Sequence, residues 1–169
     1  KKIRETRHGD VEGITVSFPL SQIFSVGAGG SSVFRVQDGK VTVGPDSVGA
    51  APGPACFARG GTEATITDAY LIAGLFDPET FSGGDLALDV ERARNAVEKN
   101  IAKPLGVDVE GAVLAMQQAY HQKIAGNISE HGITGKGTNL VAYGGAGPLS
   151  ACGVAELAGL EKIIIPSRA

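Results

Sequence analysis

Two glycine-rich segments concentrate the groups in this 169-residue chain that can approach an anion. The first is Ser25-Val26-Gly27-Ala28-Gly29-Gly30-Ser31-Ser32. Glycine lets backbone N–H groups come close to negative charge, and the adjoining serines add hydroxyl donors. That combination suits a turn around a phosphate; a glycine bulge at a sheet edge uses the same residues. The second is Tyr143-Gly144-Gly145-Ala146-Gly147-Pro148. It leaves an apolar stretch and opens a helix. Open α/β sheets bind ligands at such points, and a helix N-terminus favours an anion or a polar edge. Its spacing is not the dinucleotide fingerprint, and tight strand-to-helix packing also demands small residues.

Other candidate positions carry weaker signals. Pro52-Gly53-Pro54-Ala55-Cys56-Phe57 is a stiff loop holding a cysteine with no histidine in a readable relation to it, so Cys56 reads as a small packed residue. Gly132 to Thr138 contains Gly135-Lys136-Gly137 but not the phosphate-loop pattern. Glu130 stands where the first glycine belongs and Gly137 follows the lysine, so the segment reads as a connector. His121 and His131 lie ten residues apart on one predicted helix and face different ways, which argues against a shared metal. His8 sits in a charged, solvated stretch. Asp68 either caps a helix or offers a catalytic or metal contact, and Asp10 is open to the same two roles. The charges of Asp89–Lys99 form a solvated face.

Composition narrows the class. The 25 glycines are about double the usual share. Yet 43% of residues are hydrophobic and 20% charged, as in folded domains. No Gly-X-Y period, no membrane-length apolar run and no signal-peptide pattern is present, so a soluble cytoplasmic domain is expected. A net charge of −3 argues against nucleic-acid binding driven by bulk charge. Cys56 and Cys152 are far apart and fit a reducing compartment. With no tryptophan and few aromatics, no large aromatic ligand platform is expected.

The elements that must position the glycine turns fall into three blocks. From Ile14 to Thr67 the chain is rich in β-branched residues, glycine and proline. Strands are predicted at Ser31–Val36 and Lys40–Val43 around an Asp38-Gly39 hairpin turn. A loop then runs from Gly44 to Gly61, with a short strand at Thr65–Thr67. The block from Asp68 to Gly132 is helical. One helix runs from Asp68 to Leu75 before Asp77-Pro78. A second is capped by Asp89, presents Ala93, Ala96, Val97 and Ile101 on one face, and ends at Pro104 and Gly106. A third carries Ala112, Val113, Met116, Tyr120, Ile124 and Ile128 and stops near His131 at Gly132. The last block is a βαβ unit: strand Asn139–Tyr143, helix Leu149–Ala158 with Pro148 in its first position, and strand Lys162–Ile165 beyond Gly159. The whole reads as one α/β layer with a helical appendage.

Taken in order, these motifs resemble one family. They are Ser25–Ser32, Val43-Gly44-Pro45-Asp46-Ser47-Val48-Gly49-Ala50, Pro52–Phe57, Thr65-Ile66-Thr67-Asp68-Ala69 and Gly144–Pro148. From about Gln22 onward the chain resembles the C-terminal part of the A-type, ATP-binding subunits of the hydantoinase/oxoprolinase family. Its members include N-methylhydantoinase, 5-oxoprolinase and subunits of acetone and acetophenone carboxylases. The resemblance implies the second lobe of an actin-like, ribonuclease-H-like ATPase fold at 22–169, with 68–132 a helical block within it and 1–21 a connector. It implies ATP with Mg²⁺ or Mn²⁺ as cofactors. Gly27, Ala28, Gly29, Gly30, Ser31 and Ser32 would form the second phosphate loop. Gly144, Gly145, Ala146 and Gly147 would form the adenosine-side loop. Asp68 is the candidate for a catalytic or metal contact. Where many members read Gly-Ala-Gly-Gly-Gly-Ser, this chain has Ser31 for the last glycine.

The family's Asp-x-Gly-Gly-Thr motif does not occur in this sequence, so an N-terminal lobe is an implied partner, together with a B-type subunit and a small-molecule substrate. The implied reaction is ATP-dependent opening of a cyclic amide, of hydantoin or 5-oxoproline type, by carbonyl phosphorylation. Two alternatives stand beside it: an acetone- or acetophenone-type carboxylase subunit, and a non-catalytic assembly module docking through the Asp89–His131 helices. The 169-residue chain alone is expected to be inactive.

Overall fold

The computed structural model describes residues 5–6, 9–11, 14–18, 20–21, 23–133 and 137–167. His8, Gly135 and Lys136 lie outside them, as does the side chain of Asp10. Near the N-terminus β1 (Glu5–Thr6) pairs antiparallel with β4 (Leu20–Ser21), and β2 (Gly9–Val11) with β3 (Ile14–Val16). The stretch expected as a plain connector therefore carries paired strands.

The predicted hairpin is present as β5 (Ser32–Gln37) and β6 (Lys40–Ser47), with Phe34 opposite Val43 and Val36 opposite Val41. Asp38 and Gly39 both take positive φ, 50° and 71°, the pair a tight two-residue turn requires. β6 runs past the predicted end at Val43, and its Ser47 pairs with Ser32 across an irregularity in the register. Pro45 is tolerated there because a strand of a two-stranded sheet has an open edge.

Thr65 makes a single bridge to Val33 and then caps α1 (Ile66–Ile72), so the predicted Thr65–Thr67 strand is one bridging residue followed by a helix. Asp68 is the third residue of that helix rather than its cap. Its Oδ2 accepts from Thr65 N–H at 3.0 Å and from the Thr65 hydroxyl at 2.7 Å. Its Oδ1 accepts from Cys56 N–H at 2.8 Å, tying α1 to the short 3₁₀ turn Ala55–Phe57. The Cys56 carbonyl in turn accepts from Asp89 N–H at 2.8 Å. One buried carboxylate thus holds the Pro52–Phe57 loop against the helical block.

Asp89 caps α2 (Val90–Val97), accepting from Arg92 N–H at 2.9 Å. The helix passes Pro104 and ends, as predicted, at Gly106, φ 74°; it gets there through a π turn, Glu98–Ala102, and α3 (Lys103–Leu105). Proline disrupts a regular helix by clashing with the carbonyl four residues back, and the wider turn preceding Pro104 takes up that ring. Asp108 caps α4 (Val109–Glu130). Its C-terminus closes with Gly132 N–H donating to Ser129 O and Ile133 N–H to Ile128 O, with Gly132 at φ 65°.

β7 (Asn139–Val141), α5 (Gly147–Leu157) and β8 (Lys162–Ile164) form the predicted βαβ unit, with β7 and β8 parallel and Leu140 opposite Ile163. α5 begins two residues before the predicted Leu149, leaving Pro148 in its second position. Among the described residues the hairpin and the βαβ unit do not share a sheet. This corrects the single α/β layer: the architecture is mixed α/β with two-stranded sheets joined by helices. The helical block is no appendage either. The first half of α4 sends Ala112, Val113, Met116 and Tyr120 into a core with Phe34, Val43, Ile66 and Tyr70. Its second half contributes Ala125 to a separate core with Val154, Ala155, Ala158 and Leu160. Among the described residues, no helix is long and apolar enough to cross a membrane.

α4 and α5 meet closely at one point. A Cβ on Gly153 would overlap the His121 ring, so only glycine lets the helices approach there. The His121 Nε2 is buried without a hydrogen-bond partner, and burial lowers the affinity of this imidazole for a proton. The unfolded chain, with an ordinary histidine near pH 6.5, binds more protons than the folded one below that point. Stability is therefore expected to fall as pH drops through about 6.5, and His121→Gln to flatten that part of the profile in urea unfolding. Gly153→Ala should cost about 1–3 kcal/mol through forced separation of the helices. Asp68→Ala strands three donors and should cost about 3 kcal/mol or more, read from the same urea midpoints.

Candidate functional site

The two glycine turns come from different units and face each other. Ala28 and Gly29 on one side, and Tyr143, Ala146 and Gly147 on the other, line a cleft of about 620 Å³. α4 supplies its floor through Tyr120 and Ile124, and α5 adds Ser150 and Val154. Phe24 closes one flank, its ring stacked on His131 with centroids 3.4 Å apart. Gly30 and Ser31 look the other way, into a second cavity of about 500 Å³ that also meets Gly145 and Ala146. The two turns thus form a waist between two chambers, with Ala146 common to both.

The first turn holds its own shape. Ala28 N–H donates to Val26 O, Ser32 N–H to Gly29 O at 3.0 Å, and Gly29 N–H to the Ser32 hydroxyl at 2.8 Å. Thr67 Oγ1 donates to Gly30 O at 2.9 Å, fastening the turn to α1. Among the described residues the N–H groups of Gly30 and Ser31 have no protein acceptor, which leaves two adjacent donors for an anion. Ser32 is buried as the first residue of β5 and acts on the turn, not on the cleft. Gly27 lies to one side, in a depression shared with Ser25 and Lys123.

The second turn needs glycine at Gly144 for a φ of 79°. Gly145 and Gly147 take no positive φ, and a Cβ on either would meet nothing within 4 Å; Gly29 is the same. The described fold itself gives no reason for glycine at these three positions. Ala146 precedes α5 without a side-chain cap, so the first N–H groups of this 11-residue helix end at the cleft unsatisfied by a side chain. Ser150, buried, bonds back to the Gly147 carbonyl at 3.2 Å.

Several residues of the site were not singled out by sequence. Lys123 reaches from α4 to the Val43 carbonyl at 2.7 Å, bracing the hairpin beside the first turn. Tyr120 carries the same helical periodicity as a core residue, and nothing in that spacing distinguishes a core wall from a cleft floor. Tyr70 stands beside Ser150 without a hydrogen bond of ordinary geometry. Burial, and then the neighbouring Tyr120, push its phenol up, with Ser150 acting weakly the other way. Burial pushes the Tyr120 phenol up as well.

The other candidates do not join the cleft. Asp68 is fully buried, lines neither chamber, and has both carboxylate oxygens committed. Burial, followed by the charge and hydrogen bond of Asp68, holds the Cys56 thiol well above the usual range, so it is no ready nucleophile. His121 packs on α5 and His131 on Phe24, in separate places as their spacing implies. Among the described residues no group of three or more His, Cys, Asp or Glu side chains is placed to hold a metal. The sparse aromatics are the opposite of dispersed: of six phenylalanines and three tyrosines, Phe57, Tyr70, Phe76 and Phe81 wall the second chamber.

Known proteins are similar to this chain in sequence and in shape. The chain is 35% identical over 145 residues to the acetophenone carboxylase gamma subunit of Aromatoleum aromaticum, covering 82% of this chain and 20% of that protein. It is 34% identical over 156 residues to the caprolactamase subunit alpha of Pseudomonas jessenii, covering 89% and 22%. The crystal structure of the ATP-dependent caprolactamase from Pseudomonas jessenii superposes with a TM-score of 0.82 at 33% identity, over 92% of this chain and 23% of that one. The chain thus spans about a fifth of the length of these relatives. The hydantoinase/oxoprolinase family model matches residues 1–169, and with the shared fold and the ordered glycine turns this chain belongs to that family.

Proposed function

We propose that this chain is the nucleotide-holding lobe of an ATP-dependent enzyme that phosphorylates a carbonyl oxygen, and that the carbonyl belongs to a cyclic amide which water then opens. The observation that carries this is the convergence of two glycine turns on one cleft, at positions where their own fold has no use for glycine. The ATP dependence of the related caprolactamase supports the cofactor. The lobe corresponds to the second half of an actin-like ATPase cleft. A further lobe, bearing the Asp-x-Gly-Gly-Thr turn, closes it, and a B-type subunit completes the enzyme; relatives named as subunits support that assembly. The setting is the cytoplasm.

In this proposal the N–H groups of Gly30 and Ser31 donate to phosphate oxygens, and the open start of α5 adds its dipole. Ala28, Tyr120, Ile124 and Val154 give the apolar surface for the nucleoside. ATP, when bound, supplies the phosphoryl group that makes the carbonyl carbon electrophilic. The cleft's side chains do not form a metal site among the described residues, so a Mg²⁺ or Mn²⁺ ion would be held by the phosphates. Asp68 acts as a positioning residue. It holds α1, and α1 holds Gly30 through Thr67.

Gly29→Ala and Gly145→Ala test the assignment without disturbing the fold, because each added methyl enters open space. Both should leave the melting temperature within about a degree and weaken ATP binding at least about tenfold, or about 1.4 kcal/mol, by calorimetry. Gly30→Val is less clean, since its Cβ would press on Thr67 Oγ1 at 3.1 Å. Wild-type affinity in both alanine variants would remove the two turns from the nucleotide site.

A further inference from the structure

The second chamber has a character of its own. Its walls are aromatic and interlocked. Tyr70 meets Phe76 edge-on with centroids 6.4 Å apart, Phe76 meets Phe81 edge-on at 5.2 Å, and Phe81 meets Phe57 in a tilted contact at 5.9 Å. Edge-to-face contacts of this kind fix ring positions. The polar side-chain groups of the lining are the hydroxyls of Ser31, Thr67, Tyr70 and Ser82, and among the described residues no charged side chain lines it. Its size, about 500 Å³, falls within the range of small-molecule pockets. One side is the Gly30–Ser31 turn itself, whose N–H groups are the proposed phosphate donors.

We infer that this aromatic chamber between the Gly30–Ser31 turn and the Phe57–Phe76–Phe81 cluster is the subsite for the carbonyl compound, and that it takes an uncharged apolar ring or aryl carbonyl in preference to one bearing a carboxylate. The inference rests on the nucleotide reading of the neighbouring cleft. A substrate held here reaches the phosphate end of the waist without entering the nucleoside chamber, because Ala146 stands between the two. The rings supply contact surface for a lactam or a phenyl group, and the hydroxyls of Ser31, Tyr70 and Ser82 supply donors for its carbonyl oxygen, that of Thr67 being given to the Gly30 carbonyl. A carboxylate would be desolvated there with no cation opposite it, which is strongly unfavourable. Caprolactam and acetophenone, the compounds for which two relatives are named, are uncharged; 5-oxoproline carries a carboxylate.

The test is equilibrium binding of caprolactam, acetophenone and 5-oxoproline to the natively expressed protein in the presence of a non-hydrolysable ATP analogue. The two neutral compounds should bind at least tenfold more tightly than 5-oxoproline. Phe81→Ala should weaken the neutral compounds at least tenfold. Ser82→Arg, at an exposed rim position, should shift the preference at least tenfold toward 5-oxoproline. In both variants the affinity for the ATP analogue should stay at the wild-type value, which also reports that they are folded. Unchanged selectivity in both variants with the analogue still bound would overturn the subsite and leave the nucleotide cleft standing. Failure of the wild-type protein to bind the analogue would overturn the nucleotide reading, and the subsite with it.

Discussion

The arrangement depends on one helix serving two cores. α4, 22 residues and about 33 Å long, packs its first half against the hairpin and α1 and its second half against the βαβ unit. Neither β unit has enough strands to stand alone, since two-stranded pieces are marginal without further packing. Laid on one rod, each buries its apolar side, and the turns at their near ends are brought opposite one another. The cleft width is then set by side chains on that rod, Tyr120 and Ile124, and by the close approach at Gly153. Packing thus fixes the site before any ligand is present.

A second constraint is polar. The Asp68 carboxylate is expensive to bury, and three donors offset that cost. It joins a proline-stiffened loop, the start of α1 and, through Thr67, the first glycine turn. A carboxylate near a proposed active site invites a chemical role. Here its geometry instead explains how a loop twelve residues upstream and a turn further still are held in register with the helix.

What was legible in the sequence had local causes. Asp38-Gly39, the cap at Asp89, the stop at Gly132 and the βαβ unit follow from backbone preference and short-range hydrogen bonds, and all are present. The misplacements had other causes. The start of α1 moved because the Thr65 and Asp68 side chains bond to each other, a local capping box that outweighs the β-branched run, and β6 lengthened because Ser47 found Ser32 across the hairpin. The glycines of the site were visible as a pattern, but not which of them the fold itself requires. That distinction needs the space around each Cβ, which exists only once the units are packed. The aromatic chamber was invisible for the same reason, since its rings come from a loop, a helix and the irregular stretch beyond it.

The Ser32 hydroxyl on the Gly29 N–H has a consequence for how a ligand is received. A glycine run of this kind would ordinarily surrender much conformational entropy when it closes around an anion. Here a serine of the chain already occupies one of the donors and sets the curvature of the rest. Ordering has been done at folding, by a residue that never leaves. What arrives at the turn need only displace water from two neighbouring N–H groups, so its binding energy goes into affinity and not into shaping the receptor.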